Sequence, residues 1–570
     1  MLLLSMFAMA QTANVTWGDE FKLRKGSTDL SVIFADNSGV YVKESHMALK
    51  SYFVIGYSTR EASTLIKLDK NLVEEYRNDF TKELKGKEFE QFFFLKGKLF
   101  ILATDYSKKD KTLTLFAAEV NKQDGELAND WQEVTIWQKE EKNDGIDFNT
   151  TYNSDSTKMV LVSTLAGKEK NTYEVREFDE KMKMLGKPVV ISNEFEPKLF
   201  QLEDVIYANN GNIAMVARIY DYQEGKKKKA KFREFQNYNI RIYDPKGSMV
   251  KEINTEISGK WLMSTKLLQV PGNDFVLAAY YCDQKKAKEI NGMLVQRIDP
   301  LSGNVITTSL KEINTSMIEA VEDDNDDDGD DETRKERKAR EKLEKIQNEE
   351  DGFSRYMRFR KFIFTADKGI VVLSEKYNTY TYTTVTQSGG FGPGSFSSTR
   401  TTTYQVYETG DLMMNKIDAK GDITWLHVLP KNQREVIELG SSTGPSTGFS
   451  MGISFFHNDF NMPFYSGFGA LANDKTISIV FNDHRKNDRV LNLGQKAKRI
   501  SYFRKSDCFG LSLDPITGKY TRTVLFSNDD VPTAMPRLGS NLGNELYIVG
   551  KEDRLLGKTK IAIAKVKLKG

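Results

Sequence analysis

The chain has little of what most catalytic and metal-binding chemistries need. Its 570 residues hold only four histidines and two cysteines. His46, His427, His457 and His484 form no H-x-x-x-H or H-E-x-x-H pair, which excludes a zinc-protease signature. Cys282 and Cys508 are too few for a disulfide framework and read as two buried free thiols. Charge of one sign is also missing. Lys+Arg number 82 against Asp+Glu 80, so no global basic field points to nucleic acid. No stretch approaches the roughly 18 apolar residues of a membrane-spanning helix. These absences leave no cofactor, metal or catalytic residue to assign.

What is present is a recurring strand and turn. Met293-Leu294-Val295-Gln296-Arg297-Ile298-Asp299-Pro300-Leu301-Ser302-Gly303 reads as a β-strand entering a tight turn. Asp299 can accept from the backbone two residues on, Pro300 presets φ, and Gly303 tolerates φ > 0. Close variants end at Asp244, Asp418 and Asp514, and looser ones at Asp69, Asn121 and Asp179. A last strand, Ile563 to Leu568, stops before its turn. Turn positions 69, 121, 179, 244 and 299 are separated by 52, 58, 65 and 55 residues. A strand pair repeated at that interval is the pattern of propeller blades. We expect an all-β chain forming a single β-propeller of eight blades, with seven as the alternative.

Both chain ends bear on closure. The segment Thr16 to Leu23 has no hairpin partner nearby, and the strand Lys560 to Leu568 has none after it. The N-terminal strand is expected to complete the last blade, which removes an open edge. Ahead of it, residues 1–10 form a short apolar run ending Ala8-Met9-Ala10, which suggests a cleaved signal peptide, although a basic start is missing. The propeller then spans residues 11–570. The expected location is beyond the inner membrane, periplasmic or associated with the outer surface.

Three insertions break the repeat, and loops of a rigid scaffold are where function concentrates. Residues 315–355 carry the acidic run Glu322 to Glu332 and then a charged segment, Thr333 to Asn348, which reads as one short solvated helix. The acidic run begins like a calcium loop, but Lys335 stands where a bidentate Glu is needed. Residues 379–406 read as a long hairpin with a glycine-rich tip around Phe391. Residues 439–468 are Gly/Ser-rich and then aromatic. Phe455, Phe456, Phe460, Phe464 and Tyr465, with Phe391, are the candidates for a partner-binding surface. A loop tucked against the propeller is the alternative. Gly440-Ser441-Ser442-Thr443-Gly444 has the letters of a nucleophile elbow, but Pro445 and further Gly/Ser follow where the elbow needs a helix.

The repeats together with the A-x-A/Gln start resemble uncharacterised secreted β-propeller proteins of Bacteroidota. The chain lacks the Gly-His and Trp-Asp pairs of WD repeats and, with five Trp, the regular tryptophans of quinoprotein propellers. The resemblance implies an architecture and carries no functional residue. Two functions follow as expectations. The first is a non-enzymatic binding or scaffold protein of the cell envelope, with an envelope protein or a glycan as partner. The alternative is a carbohydrate-active or other hydrolytic propeller with carboxylates at its central funnel. Convergence of acidic and aromatic side chains at the funnel mouth would separate them.

Overall fold

The computed structural model describes residues 13–24, 27–53, 56–141, 144–153, 156–192, 198–208, 210–224, 231–254, 260–270, 273–284, 290–312, 357–388, 398–443, 463–492, 495–552 and 560–568. Its strands form eight antiparallel sheets in chain order, spanning 27–79, 88–138, 145–192, 200–254, 261–312, 358–443, 468–527 and 533–568. The last sheet takes its outermost strand from the other end of the chain. Ala13–Trp17 lies antiparallel to Lys560–Leu568, with Ala13 opposite Leu568 and Trp17 opposite Ala564. The expected N-terminal closure is present.

Residue chemistry explains the ring. The second strands Phe275–Cys282 and Ile477–Asp483 are buried along their whole length, while the fourth strand Val305–Glu312 is almost wholly exposed. Eight apolar clusters fill the gaps between successive sheets. One joins Phe93 and Trp137 of the second sheet to Met159 and Phe178 of the third. Another joins Val42 and Leu68 of the first to Val549 and Ile563 of the eighth, which closes the circle. The third strand Gly292–Ile298 shows how period-two alternation serves both sides. Met293 and Val295 pack toward the sixth sheet, and Leu294 and Ile298 toward the fourth. Each fully buried Leu, Ile or Phe contributes about 1.5–3 kcal/mol, so the gaps between sheets hold the ring together. The fold is a β-propeller.

The Asp turns behave as the sequence predicts. Asp299 accepts from Leu301 N at 2.9 Å and from Ser302 Oγ at 2.7 Å, and Gly303 sits at φ 69°. Asp69, Asp179, Asp244, Asp418 and Asp514 accept from the residue two positions on at 2.8–2.9 Å. All of these turns join the third strand to the fourth. Antiparallel order therefore puts them on one face of the ring, and every hairpin from second to third strand on the other. That second face carries the long projection of the sixth sheet, where Ile370–Ser388 pairs with Ser398–Ile417.

Other expectations are amended. The first strand of the third sheet, Gly145–Tyr152, and the fourth strand of the first, Glu74–Asp79, were not foreseen. Neither has a fully buried residue: Glu74–Asp79 is almost wholly polar, and Gly145–Tyr152 offers only the short alternation of Ile146 and Phe148, so the pattern that marks a strand in sequence is weak. The hairpin also gains a third strand, Gln433–Thr443, paired with Arg400–Thr409. This strand absorbs the start of the expected loop 439–468. It also places Ser442 opposite Thr401 within a ladder rather than at a strand-to-helix turn, which disposes of the elbow. The charged helix expected at 333–348, the acidic run 322–332 and residues 1–10 lie outside the described residues. Among the described residues there is no α-helix, only single 3-10 turns at Arg485–Asn487, Phe503–Lys505 and Pro536–Leu538.

Candidate functional site

The first strands of the fourth, fifth and sixth sheets approach one another in turn, the arrangement of strands that line a propeller's central channel. Several carry a β-bulge near their start. The bulged residues include Glu90, Glu203 and Arg360. A bulge re-aims a side chain, and here the repeat supplies the bulge while the sequence chooses the charge placed on it.

Between the third and fourth sheets lies a cleft of about 350 Å³, lined by Asp147, Asn149, Thr164, Glu203 and Asp204 among others. Period two puts Asp147 and Asn149 on one side of their strand, beside Thr164 and Val162 in register. Glu203 enters from the facing strand on its bulge. Arg218 Nη2 donates to Glu203 Oε2 at 3.0 Å. Burial nevertheless raises the Glu203 carboxyl above its ordinary value, because desolvation outweighs the guanidinium. Asp204 is ion-paired to Lys266 of the fifth sheet. Arg358, at the start of the sixth sheet's first strand, is close enough to act electrostatically on Glu203. Three carboxylates, Glu203 and Asp204 with their cationic partners and Asp147 beside them, thus converge in one cleft near the start of these strands.

A second cavity of about 350 Å³ lies on the same face, beside the projection. Its walls include Glu435, Tyr465, Tyr502, Phe503, Arg504 and Glu552. The Glu435 carboxylate accepts three successive backbone N–H groups, from Phe464 at 2.9 Å and from Tyr465 and Ser466 at 2.8 Å. Burial raises its pKa against those hydrogen bonds. Gln433 Oε1 accepts from Gly467 N at 2.7 Å, so the strand pins the returning segment at four points. Tyr465 stacks on Phe503 at 5.8 Å, and Tyr502 is 60% exposed.

The structure brings two of the aromatic candidates to this cavity. Phe464 is only 5% exposed and packs into the cluster between the first and eighth sheets. Tyr465 packs against the same cluster, and both residues line the cavity. Phe391, Phe455, Phe456 and Phe460 lie outside the described residues. Sequence reasoning missed Glu203, Arg358 and Arg360. The available signal was Arg358-Phe359-Arg360-Lys361, three cations inside a segment otherwise typical of a buried strand.

Other polar groups are structural. Asp483 and Arg522 are fully buried and paired at 2.7 Å, and Asn487 Nδ2 also donates to Asp483. Cys282 and Cys508 are buried free thiols, and Cys282 Sγ donates to Gln284 O at 3.0 Å. Among the described residues no three His, Cys, Asp or Glu side chains are grouped to hold a metal ion. No described helix is long and apolar enough to cross a membrane.

No protein-family model and no curated protein matches the chain. Solved structures do. A protein of unknown function from Dyadobacter fermentans is 9% identical, covers 74% of this chain and 94% of its own, and has a TM-score of 0.30. The α-L-arabinanase of Penicillium chrysogenum is 9% identical, with coverage of 53% and 98% and a TM-score of 0.26. The polysaccharide lyase Uly1 is 8% identical, with coverage of 84% and 90% and a TM-score of 0.33. No functional residue transfers to this chain from likenesses of this size.

Proposed function

We propose that this propeller acts on a polysaccharide at the channel mouth, cleaving a glycosidic bond by acid–base chemistry at the cleft between its third and fourth sheets. The observation that carries the proposal is Glu203, set on a bulge in that cleft with its carboxyl pushed upward by burial. A carboxyl group whose hold on its proton is strengthened by burial is the better donor to a leaving oxygen. Glu203 gives its proton to the glycosidic oxygen as the C–O bond breaks. Water adds to the anomeric carbon and loses a proton to Asp147, the second carboxylate of the cleft.

The test is release of reducing ends from a panel of neutral and acidic polysaccharides. Glu203→Gln should lower kcat at least about 100-fold with KM little changed, the usual weight of a general acid. The proposal fails if no polysaccharide in the panel is cleaved, or if Glu203→Gln cleaves as fast as the parent.

A second reading is binding without turnover, favoured by the aromatic cavity of Tyr465, Tyr502 and Phe503. It predicts glycan or envelope-protein capture that Tyr465→Ala weakens and Glu203→Gln leaves alone. Either reading is consistent with an envelope location and with kinship to secreted propellers of Bacteroidota, both of which belong to the proposal. Fractionation of expressing cells, with sequencing of the mature N-terminus, tests the location.

A further inference from the structure

Three guanidinium groups gather on one aromatic ring near the channel mouth. Arg360 lies 4.6 Å, Arg358 4.8 Å and Arg537 5.5 Å from the centroid of Tyr377. Arg358 and Arg360 come from the sixth sheet's first strand, and Arg537 from the 3-10 turn of the eighth. Arg537 reaches across because Gly467 leaves room. A Cβ there would stand 3.1 Å from the Arg537 side chain, and φ of 90° disfavours any other residue.

The negative charge opposite them is small. Glu375, 1% exposed, accepts from Lys431 Nζ at 2.8 Å and from Arg360 Nε at 3.2 Å. Arg537 Nη1 stands 3.7 Å from the same carboxylate, beyond a hydrogen bond. Glu435 spends its carboxylate on three backbone N–H groups. Arg360 Nη2 and Arg537 Nη1 are buried donors that find no acceptor among the described residues. Burial and then the neighbouring Arg360 draw the Arg537 guanidinium down to about 10. Crowded cations with unfilled donors are costly unless an anion completes them. Arg358 is exposed, so the group is open to solvent on the channel side.

We propose that Arg358, Arg360 and Arg537 form a subsite for an oxyanion carried on a sugar, a carboxylate or a sulfate. The proposal rests on the glycan reading above and names the substrate class as acidic. Guanidinium donors suit both groups because they can offer paired N–H bonds to two oxygens. Tyr377 beneath them holds the three side chains in place through its ring face.

The test uses the full chain in low-salt buffer with a poorly coordinating anion. Probes are sodium sulfate, free glucuronate, a glucuronate-containing oligosaccharide, a sulfated oligosaccharide and a neutral oligosaccharide of equal length. Thermal shift and calorimetry read binding, independently of any turnover. The acidic oligosaccharide bearing the right group should bind at least about tenfold more tightly than the neutral one, the worth of one charge-assisted pair. Arg537→Met should abolish that preference, and Arg537→Lys should restore it only in part. In the absence of ligand, Arg537→Met should melt at or above the parent, because it relieves repulsion. Preference for the carboxylate or for the sulfated probe identifies the group. Equal binding of acidic and neutral oligosaccharides, or a preference that survives Arg537→Met, overturns the subsite. Anion preference without cleavage leaves the subsite standing and removes the catalytic reading. Cleavage of a neutral polysaccharide with no anion preference does the reverse.

Discussion

Replacing Trp17 with alanine tests whether the N-terminal strand is a structural clasp. Trp17 ends the strand Ala13–Trp17, faces Ala564 in register and meets Phe526 edge-on at 5.4 Å. Its ring also covers Gly550, where a Cβ would lie 2.6 Å from ring atoms. Truncating a large buried aromatic costs about 3–5 kcal/mol, and a partly exposed indole belongs at the low end. The expected loss is therefore about 3 kcal/mol. How that loss appears depends on cooperativity. An unfolding entropy of about 2.1 cal/mol/K per residue gives about 1.2 kcal/mol/K for the whole chain, so a ring that melts as one unit drops by only about 2.5 °C. If the eighth sheet opens alone, with about 50 residues, the same loss is divided by about 0.1 kcal/mol/K. A separate early transition then appears well below the main one. Differential scanning calorimetry distinguishes the two. Gly550→Val attacks the same contact from the other side and should reproduce the result. An unchanged profile in both variants would refute the clasp.

Two further predictions concern buried charge. Asp483→Asn leaves Arg522 charged and fully buried, and should cost about 3–5 kcal/mol in urea unfolding. Adding Arg522→Met should recover most of the loss, whereas a single-variant cost below about 1 kcal/mol would show that the pair is not what holds these strands. Glu375 gives a pH dependence. Burial alone would raise its carboxyl, but Lys431, then Arg360 and Arg537, hold it below its ordinary value of 4.5. A depressed folded value means its stabilisation is complete above about pH 4.5 and is lost as pH falls through the folded value. The urea midpoint of the parent should fall on acidification below that pH, and Glu375→Gln should flatten the response; equal acid sensitivity in both would assign the acid limb to other carboxylates.

The readable parts of the chain were those in which neighbours in sequence decide the outcome. Asp299 and its counterparts act on residues two to four positions away, so the turns could be recognised without tertiary knowledge. Strands buried on both sides, such as Phe275–Cys282, declare themselves by composition. The strand Gly145–Tyr152 does so only weakly, because Asp147 and Asn149 face a polar cleft and just Ile146 and Phe148 pack on the neighbouring cluster. Of the aromatic candidates, Phe464 and Tyr465 both line the cavity and both pack on the cluster between the first and eighth sheets, Phe464 buried and Tyr465 half-buried. The bend that seats them is held by Glu435, about 30 residues away in sequence.

The amino-acid order by itself determined the all-β class, the repeat of strand and turn, and the pairing of the two chain ends. These rest on local periodicity and on one strand lacking a neighbour. Only the tertiary structure decided which charges meet. Glu203 and Arg358 lie on different sheets, and Arg537 reaches Tyr377 from 160 positions along the chain. A closed ring brings the starts of its first strands to a common mouth. Burial there, rather than any motif, sets the chemistry of the groups that converge.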